Sequence, residues 1–210
     1  MGPNSIIILA ELLENVKLKK GMKILDLGCG KGLTSIYLAK EYKATVYAVD
    51  LWVSATDNYK RFQEMKVEEY TIPIHADAHE LPFADEYFDA VVSVDSYHYF
   101  EKYLRRLLKK DGPVALAFPG MKYEVHDNIP SEMKKLWEPE ALKMWHSIPW
   151  WESKLEKSLD NMAIKEMKCF DTAWDDWLQT DNPYAVEDIE MIKTDAGRYM
   201  NIISVVGRLK

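Results

Sequence analysis

Three glycines follow a short apolar run near residue 24, and their spacing is the first feature that suggests ligand binding. Gly28, Gly30 and Gly32 allow a tight turn and a close backbone approach to a ligand, with no Cβ in the way. A dinucleotide site would carry G-x-G-x-x-G, but the third glycine position here is Leu33. Asp26 precedes the turn, where a carboxylate is poorly placed for a pyrophosphate and well placed for an ammonium group. The pattern therefore favours a cationic ligand over a phosphorylated one.

Two further carboxylates follow at the ends of predicted strands. Asp50 lies 20 residues beyond the second glycine of the turn, where one carboxylate can accept both hydroxyls of a ribose. Leu51 and Trp52 then offer apolar faces to adenine, and Asp77 with the Ala78 N–H can read the edge of that base. Such a cradle suits a nucleoside with an ammonium and a sulfonium group and no phosphate. S-adenosylmethionine (SAM) has this chemistry.

These side chains require an alternating arrangement of strands and helices to bring them to one place. Apolar patterning predicts strands at residues 22–27, 44–49, 71–75, 88–94 and 114–118. Helices are predicted at residues 6–16, 34–42, 57–65 and 102–109. This alternation predicts a parallel sheet covered by helices on both faces.

The sequence changes in character after residue 119. An irregular helical insertion is predicted at residues 120–149, and then a helix at 150–161 with Ser147 as its N-cap. Residues 163–170 and 200–206 are predicted to form a closing strand pair, with a second excursion at 171–198. Six of the seven tryptophans fall in this half, and we expect most of them to pack a small cap onto the sheet, with one or two facing a substrate.

The run DLGCGKG, the aspartate at 50, the segment HADAHELPFADEYFDAVVSVDSYHYF and the later LLKKDG resemble class I SAM-dependent methyltransferases. Within that group they are most similar to the small-molecule branch related to the ubiquinone-biosynthesis enzymes. The match covers roughly residues 1–120. It implies a Rossmann-like α/β fold: a seven-stranded sheet in the order 3-2-1-4-5-7-6, last strand antiparallel, with helices on both faces. The whole chain, 1–210, is then one domain with substrate-selecting cap insertions at 120–149 and 171–198.

The resemblance also implies roles for individual residues. The glycine turn and the carboxylate before it bind the methionine part of SAM, Asp50 the ribose, and Asp77 with Ala78 the adenine. Val94 and Asp95 line the methyl-donor pocket. The predicted cofactor-binding residues are Asp26, Gly28, Cys29, Gly30, Gly32, Thr34, Asp50, Leu51, Trp52, Asp77, Ala78, His79, Val94 and Asp95. The expected product of the cofactor is S-adenosylhomocysteine.

His98 is the candidate catalytic residue, with Tyr97 and Tyr99 beside it. It follows the fourth strand, at the end where α/β folds bind ligands, and a neutral imidazole can take a proton from a nucleophile near pH 7. The alternative is that His98 hydrogen-bonds locally and only shapes the pocket. We prefer it as a base over the other four histidines, which are His75, His79, His126 and His146. No spacing typical of a metal site is found, and Cys29 is expected to pack rather than react.

Composition narrows the range of partners. The net charge is −7 and the pI about 5.3, so a basic face for nucleic acid is not expected. The segment Asp95-Ser96-Tyr97-His98 also differs from the Asn/Asp-Pro-Pro-Tyr/Phe motif of nucleic-acid methyltransferases. No run approaches 18 apolar residues, so a membrane span is not expected, and two distant cysteines are typical of a cytoplasmic protein.

The sequence leaves three functional alternatives open. The first is a methyltransferase acting on a small-molecule acceptor by in-line displacement. The second is a cyclopropane-synthase-like enzyme that adds the SAM carbon to a lipid alkene. The third is a SAM-binding regulatory protein without turnover. The sequence leaves the acceptor and a homodimeric state open.

Overall fold

The computed structural model describes residues 2–96 and 105–210, and its centre is a seven-stranded sheet. The strands are β1 Lys23–Leu27, β2 Thr45–Asp50, β3 Thr71–His75, β4 Ala90–Val94, β5 Pro113–Met121, β6 Leu159–Glu166 and β7 Met200–Leu209. Their order is β3-β2-β1-β4-β5-β7-β6, and β7 runs antiparallel to both β5 and β6. The predicted fold class and strand order are confirmed.

Helices cover the sheet and form the cap. Those of the described residues are α1 Ser5–Leu13, α2 Leu33–Tyr42, α3 Ala55–Glu64, α4 Pro139–Leu142, α5 Ile148–Leu155, α6 Phe170–Leu178 and α7 Pro183–Asp195, with a 3₁₀ turn at Ala78–Glu80. None of these helices is long and apolar enough to cross a lipid bilayer.

The core has two layers because successive side chains of a strand point to opposite faces. Ile24 of β1 packs with α1, α2 and Phe62 of α3, whereas Leu25 packs on the other face with Phe88, Phe118 and Trp151. The cap has an apolar cluster of its own, which contains Trp137, Trp174 and Trp177. These buried tryptophans are packing residues of the cap.

In the described residues, one predicted helix is absent and another is shorter than predicted. Residues 105–109, the described part of the helix predicted at 102–109, form a turn and a bridge instead. Their backbone groups pair with Phe88: the Phe88 N–H donates to Leu107 O, and the Lys109 N–H donates to Phe88 O. The helix predicted at 150–161 ends at Leu155, because the chain from Leu159 pairs with β7. Long-range pairing has overridden local propensity at both places.

Candidate active site

The carboxyl ends of the parallel strands place the predicted residues along one edge of the sheet. Leu27 of β1 pairs with Val49 of β2, and Asp50 pairs with His75 of β3. β4 lies on the other side of β1 and ends at Val94. Open α/β sheets bind ligands at this edge. The three predicted carboxylates therefore lie at or next to the carboxyl ends of three neighbouring strands.

The glycine turn leaves β1 with all three glycines at positive φ: 72° at Gly28, 53° at Gly30 and 77° at Gly32. The N–H groups of Gly28 and the next residue both donate to Val49 O, at 2.9 and 3.0 Å. A Cβ on Gly32 would lie 2.5 Å from Cε1 of Phe62, whereas one on Gly30 would meet nothing within 4 Å. Gly32 is thus required by packing, and Gly30 leaves open space that a ligand can fill.

Asp26 is buried beneath this turn. Its Oδ2 accepts hydrogen bonds from Thr34 Oγ1 at 2.6 Å and Ser35 Oγ at 2.5 Å, both from the first turn of α2. Burial raises the pKa of this carboxyl to about 6, and the nearby charge of Asp50 contributes. A cationic ligand group would favour its charged form. The Thr34 hydroxyl donates its hydrogen to Asp26. We therefore expect the predicted contribution of Thr34 to cofactor binding to act through Asp26.

Asp50 holds the turn and the following loop together. Its Oδ2 accepts from the Gly30 N–H at 2.7 Å, and its Oδ1 from the N–H groups of Trp52 and Val53 at 2.8 Å each. A carboxylate has about four acceptor positions, so three of them are used here. Binding both ribose hydroxyls, as predicted, requires the loop after β2 to release at least one of these bonds.

Asn58 is a residue at the turn that sequence reasoning missed. It is buried in α3, where its Nδ2 donates to Gly30 O at 2.9 Å and its Oδ1 accepts from Arg61 Nη1 at 2.9 Å. The turn's carbonyl is thus fixed by a neighbouring helix. Nothing in the local pattern of α3 singles out this asparagine, because its partner lies 28 residues away.

The expected adenine side of the site is exposed. Leu51 is 47% exposed and Trp52 is 76% exposed, which is unusual for large apolar side chains and suits a ligand's aromatic face. Asp77 Oδ1 accepts from the His79 N–H at 2.9 Å and contacts the ring of the same residue. These hydrogen bonds lower the pKa of Asp77. Ala78 between them is buried.

The end of β4 closes the other side of the turn. Asp95 has φ +58°, a left-handed conformation that is costly for a residue with a Cβ and is concentrated at functional sites. Burial raises its pKa to about 6. A Cβ on Gly2 would lie 2.7 Å from Asp95 Oδ2, so the amino-terminal segment packs against this carboxyl group. Ser96, which sequence reasoning missed, donates to Leu27 O or Gly28 O at 3.1 and 3.2 Å.

The predicted catalytic residues Tyr97, His98 and Tyr99 lie outside the described residues. Their roles stay predictions.

A second group of polar residues comes together beyond β5, in the cap. Glu124, His126 and His146 place one ligand atom each within 4.8 Å of one another. Although burial opposes the shift, hydrogen bonds from Ser147, together with the contact with His146, lower the pKa of Glu124 to about 2. The two histidines are 20 positions apart, a spacing that matches no metal motif, so no local pattern predicts this group.

Comparisons with known proteins match this geometry. Residues 25–116 fit a family model described as a methyltransferase domain. A fatty-acid O-methyltransferase of Mycolicibacterium smegmatis is 32% identical over 85 residues, which is 40% of this chain and 30% of that protein. The human mitochondrial arginine-hydroxylase NDUFAF5 is 36% identical over 94 residues, 42% of this chain and 26% of that protein. The chain thus spans less than a third of the length of either relative.

A solved structure matches over nearly the whole chain. It is geranyl diphosphate C-methyltransferase of Streptomyces coelicolor A3(2) in complex with Mg²⁺, geranyl diphosphate and S-adenosyl-L-homocysteine. The TM-score is 0.75 at 14% identity, covering 97% of this chain and 79% of that one. At this identity the likeness shows the fold.

Proposed function

The chain carries a methyltransferase domain on the class I SAM-dependent methyltransferase fold, and from that premise we propose that it transfers the methyl group of SAM to a small-molecule acceptor. The observation that carries the proposal is the edge formed by the glycine turn, Asp26 and Asp50. The open space at Gly30 and a buried carboxyl group with a raised pKa suit a cationic, phosphate-free nucleoside. The narrower relation to the ubiquinone-biosynthesis branch stays a prediction.

Each part of the edge has a task in this proposal. Asp26 faces the cationic end of the donor, Asp50 its ribose, and Asp77 its base, with Leu51 and Trp52 as apolar surfaces. Bound SAM supplies a methyl group already activated by its sulfonium. The chain's contribution is alignment and exclusion of water, and orientation alone can lower a barrier by roughly 7–11 kcal/mol.

The acceptor side is proposed to lie between the end of β4 and the cap. His98, Tyr97 or Tyr99 would then be nearest the nucleophile, and His98 would take its proton where the nucleophile needs deprotonation. We further propose a cytoplasmic location, which is consistent with the two unpaired cysteines, Cys29 and Cys169. A homodimer stays an untested prediction.

One relative favours a second candidate. NDUFAF5 is named an arginine hydroxylase, so a protein that resembles this chain over 94 residues has a named activity other than methyl transfer. Conversion of SAM to S-adenosylhomocysteine therefore separates methyl transfer from other uses of this fold. Fatty acids belong in the acceptor panel because of the fatty-acid O-methyltransferase relative.

The test combines binding and turnover. Calorimetry with SAM and its demethylated product should show binding at one site, and a metabolite extract should yield S-adenosylhomocysteine. Asp50→Asn removes the charged acceptor of the Gly30 N–H, and loss of such a bond should weaken SAM binding roughly 10-fold or more.

Asp160→Asn is the matched control. Asp160 lies on β6, the outermost strand on the side of the sheet away from β2 and β3, and its side chain is 59% exposed. SAM affinity should be unchanged there. If the folded wild type shows neither heat nor a thermal shift with millimolar SAM, the proposal is wrong. Binding without turnover on any acceptor would instead favour a regulatory protein.

A further inference from the structure

Glu124, His126 and His146, called here the cap triad, come from two separate segments. Glu124 and His126 follow the end of β5, and His146 precedes α5. A backbone bond joins the segments, since the Met121 N–H donates to His146 O at 3.0 Å. β5 runs parallel to β4 and extends beyond it, so the cap triad lies beyond the same edge of the sheet as the glycine turn.

Each member of the cap triad is held from behind by a partner of its own. His126 Nε2 lies 2.8 Å from Leu142 O, and His146 Nε2 lies 3.2 Å from Lys143 O. Glu124 Oε1 accepts from both the N–H and the hydroxyl of Ser147, at 2.7 Å each. Metal-binding histidines and carboxylates characteristically have such outer partners, which orient the ring and fix its tautomer.

The other three polar atoms of the cap triad, the two Nδ1 atoms and Glu124 Oε2, face each other, and their contacts lack the hydrogens that hydrogen bonds need. A backbone carbonyl only accepts, so Nε2 of each ring carries hydrogen, and Nδ1 of a neutral ring is then a lone pair. Yet His126 Nδ1 and His146 Nδ1 lie 2.8 and 3.0 Å from Glu124 Oε2, which also accepts. Protons alone would require two extra protons on these three atoms, carried by two imidazolium rings or by one ring and the carboxyl group, and the two ring centroids are only 4.3 Å apart. A single divalent cation satisfies all three atoms.

We propose that the cap triad binds one divalent metal ion of the zinc class through the two Nδ1 atoms and Glu124 Oε2. Two imidazoles and one carboxylate are a typical zinc ligand set, with the fourth position left for water or another ligand. Ligands about 2.0–2.1 Å from a tetrahedral zinc lie about 3.3 Å apart, so binding needs the two Nδ1–Oε2 distances to lengthen by a few tenths of an ångström. This revises the sequence-based prediction that the chain has no metal site.

A cavity of about 240 Å³ adjoins the cap triad at His126. Its lining also includes Trp137, Leu142, Lys134 and Lys143. Bound there, the ion would fasten the segment after β5 to the start of α5.

The test uses the whole protein, dialysed against a chelator and then titrated with Zn²⁺ alone by calorimetry, with Co²⁺ as an absorbance probe. One equivalent should bind, and Zn²⁺ should raise the melting temperature. His126→Ala and His146→Ala should weaken binding by more than about 100-fold, and Ser147→Ala, which removes only an outer partner, by roughly 10- to 100-fold. Glu124→Gln should also weaken binding while keeping an acceptor for Ser147.

His75→Gln is the control, because His75 is an exposed histidine outside the cap triad. It should leave Zn²⁺ binding unchanged, and Mg²⁺ should not compete, since it prefers oxygen ligands. Absence of Zn²⁺ binding to the folded wild type would overturn the proposal, as would equal affinity in the His126 and His146 variants. The readout contains no SAM, so its failure and the failure of the proposed function are distinguishable.

Discussion

The buried carboxyl group of Asp26 makes a prediction of definite size about stability. Asp26 is 1% exposed, and burial raises its pKa from 3.8 to about 6, so the folded chain holds its proton more tightly than the unfolded chain does. The free energy of unfolding should therefore fall as pH rises from about 3 to about 7, by about 3 kcal/mol from this group alone. Asn at this position cannot ionise and still accepts from Thr34 and Ser35.

Asp26→Asn should therefore gain stability relative to the wild type as pH rises. The difference between the two free energies of unfolding should grow by about 2 kcal/mol between pH 4 and pH 7 in the absence of SAM. Urea unfolding at several pH values measures it, with the slope against urea checked for constancy. The same variant should bind SAM more weakly, because it lacks the charge that we propose for binding the cationic end of the donor.

Asp89→Asn is the matched control with the opposite sign. Although burial opposes the shift, hydrogen bonds from Lys109 and from the Lys23 N–H lower the pKa of Asp89. Its variant should lose stability relative to the wild type as pH rises, because the wild-type stabilisation is lost only as pH falls through that lowered pKa. A pH-independent difference for Asp26→Asn would refute the argument that burial sets the proton affinity of this group.

Three further predictions test the turn, the exposed surface and the core. Gly32→Ala should lower the free energy of unfolding by more than about 2 kcal/mol, because its Cβ would meet Phe62. Gly30→Ala has room for the Cβ and should lose only about 1–2 kcal/mol, because of its positive φ. Equal losses for the two variants in denaturant unfolding would mean that the contact with Phe62 is unimportant. Trp52→Ala should leave the melting temperature nearly unchanged and weaken SAM binding, because the side chain is 76% exposed; calorimetry with unaltered affinity would remove it from the adenine site. Trp151→Ala should lower the free energy of unfolding by about 3–5 kcal/mol, and a loss below 1 kcal/mol in urea would mean that its burial does not stabilise the core.

Local patterning was sufficient for the half of the chain where sequence and structure agree best. β3 has the predicted bounds, β1 begins one residue later than predicted, and β2 begins and ends one residue later, because buried strands are short apolar runs. The strand order came from the resemblance, since periodicity does not say which strands are neighbours. Residues 159–161 were assigned to a helix because the partner that makes them a strand, β7, lies some 50 positions further on.

At the site, too, the sequence predicts which residues take part but not how they contact each other. Residue types and spacing predicted the glycine turn and the aspartate at 50, but not that three backbone N–H groups already occupy that carboxylate. Asn58 and the cap triad were missed because their partners are distant in sequence and no motif spacing marks them. Local sequence patterns do not reveal contacts between residues that are far apart in the chain.

The nine-residue pairing of β5 with β7 has a consequence for how this protein can be altered. Every described residue proposed to hold the donor lies before residue 97, while the cap is built from segments that leave and rejoin the sheet after β5. If the cap selects the acceptor, as proposed, donor binding and acceptor choice depend largely on different segments of the chain. Exchanging the segment between β5 and β6 for that of another enzyme of this fold should redirect acceptor choice and leave donor affinity intact.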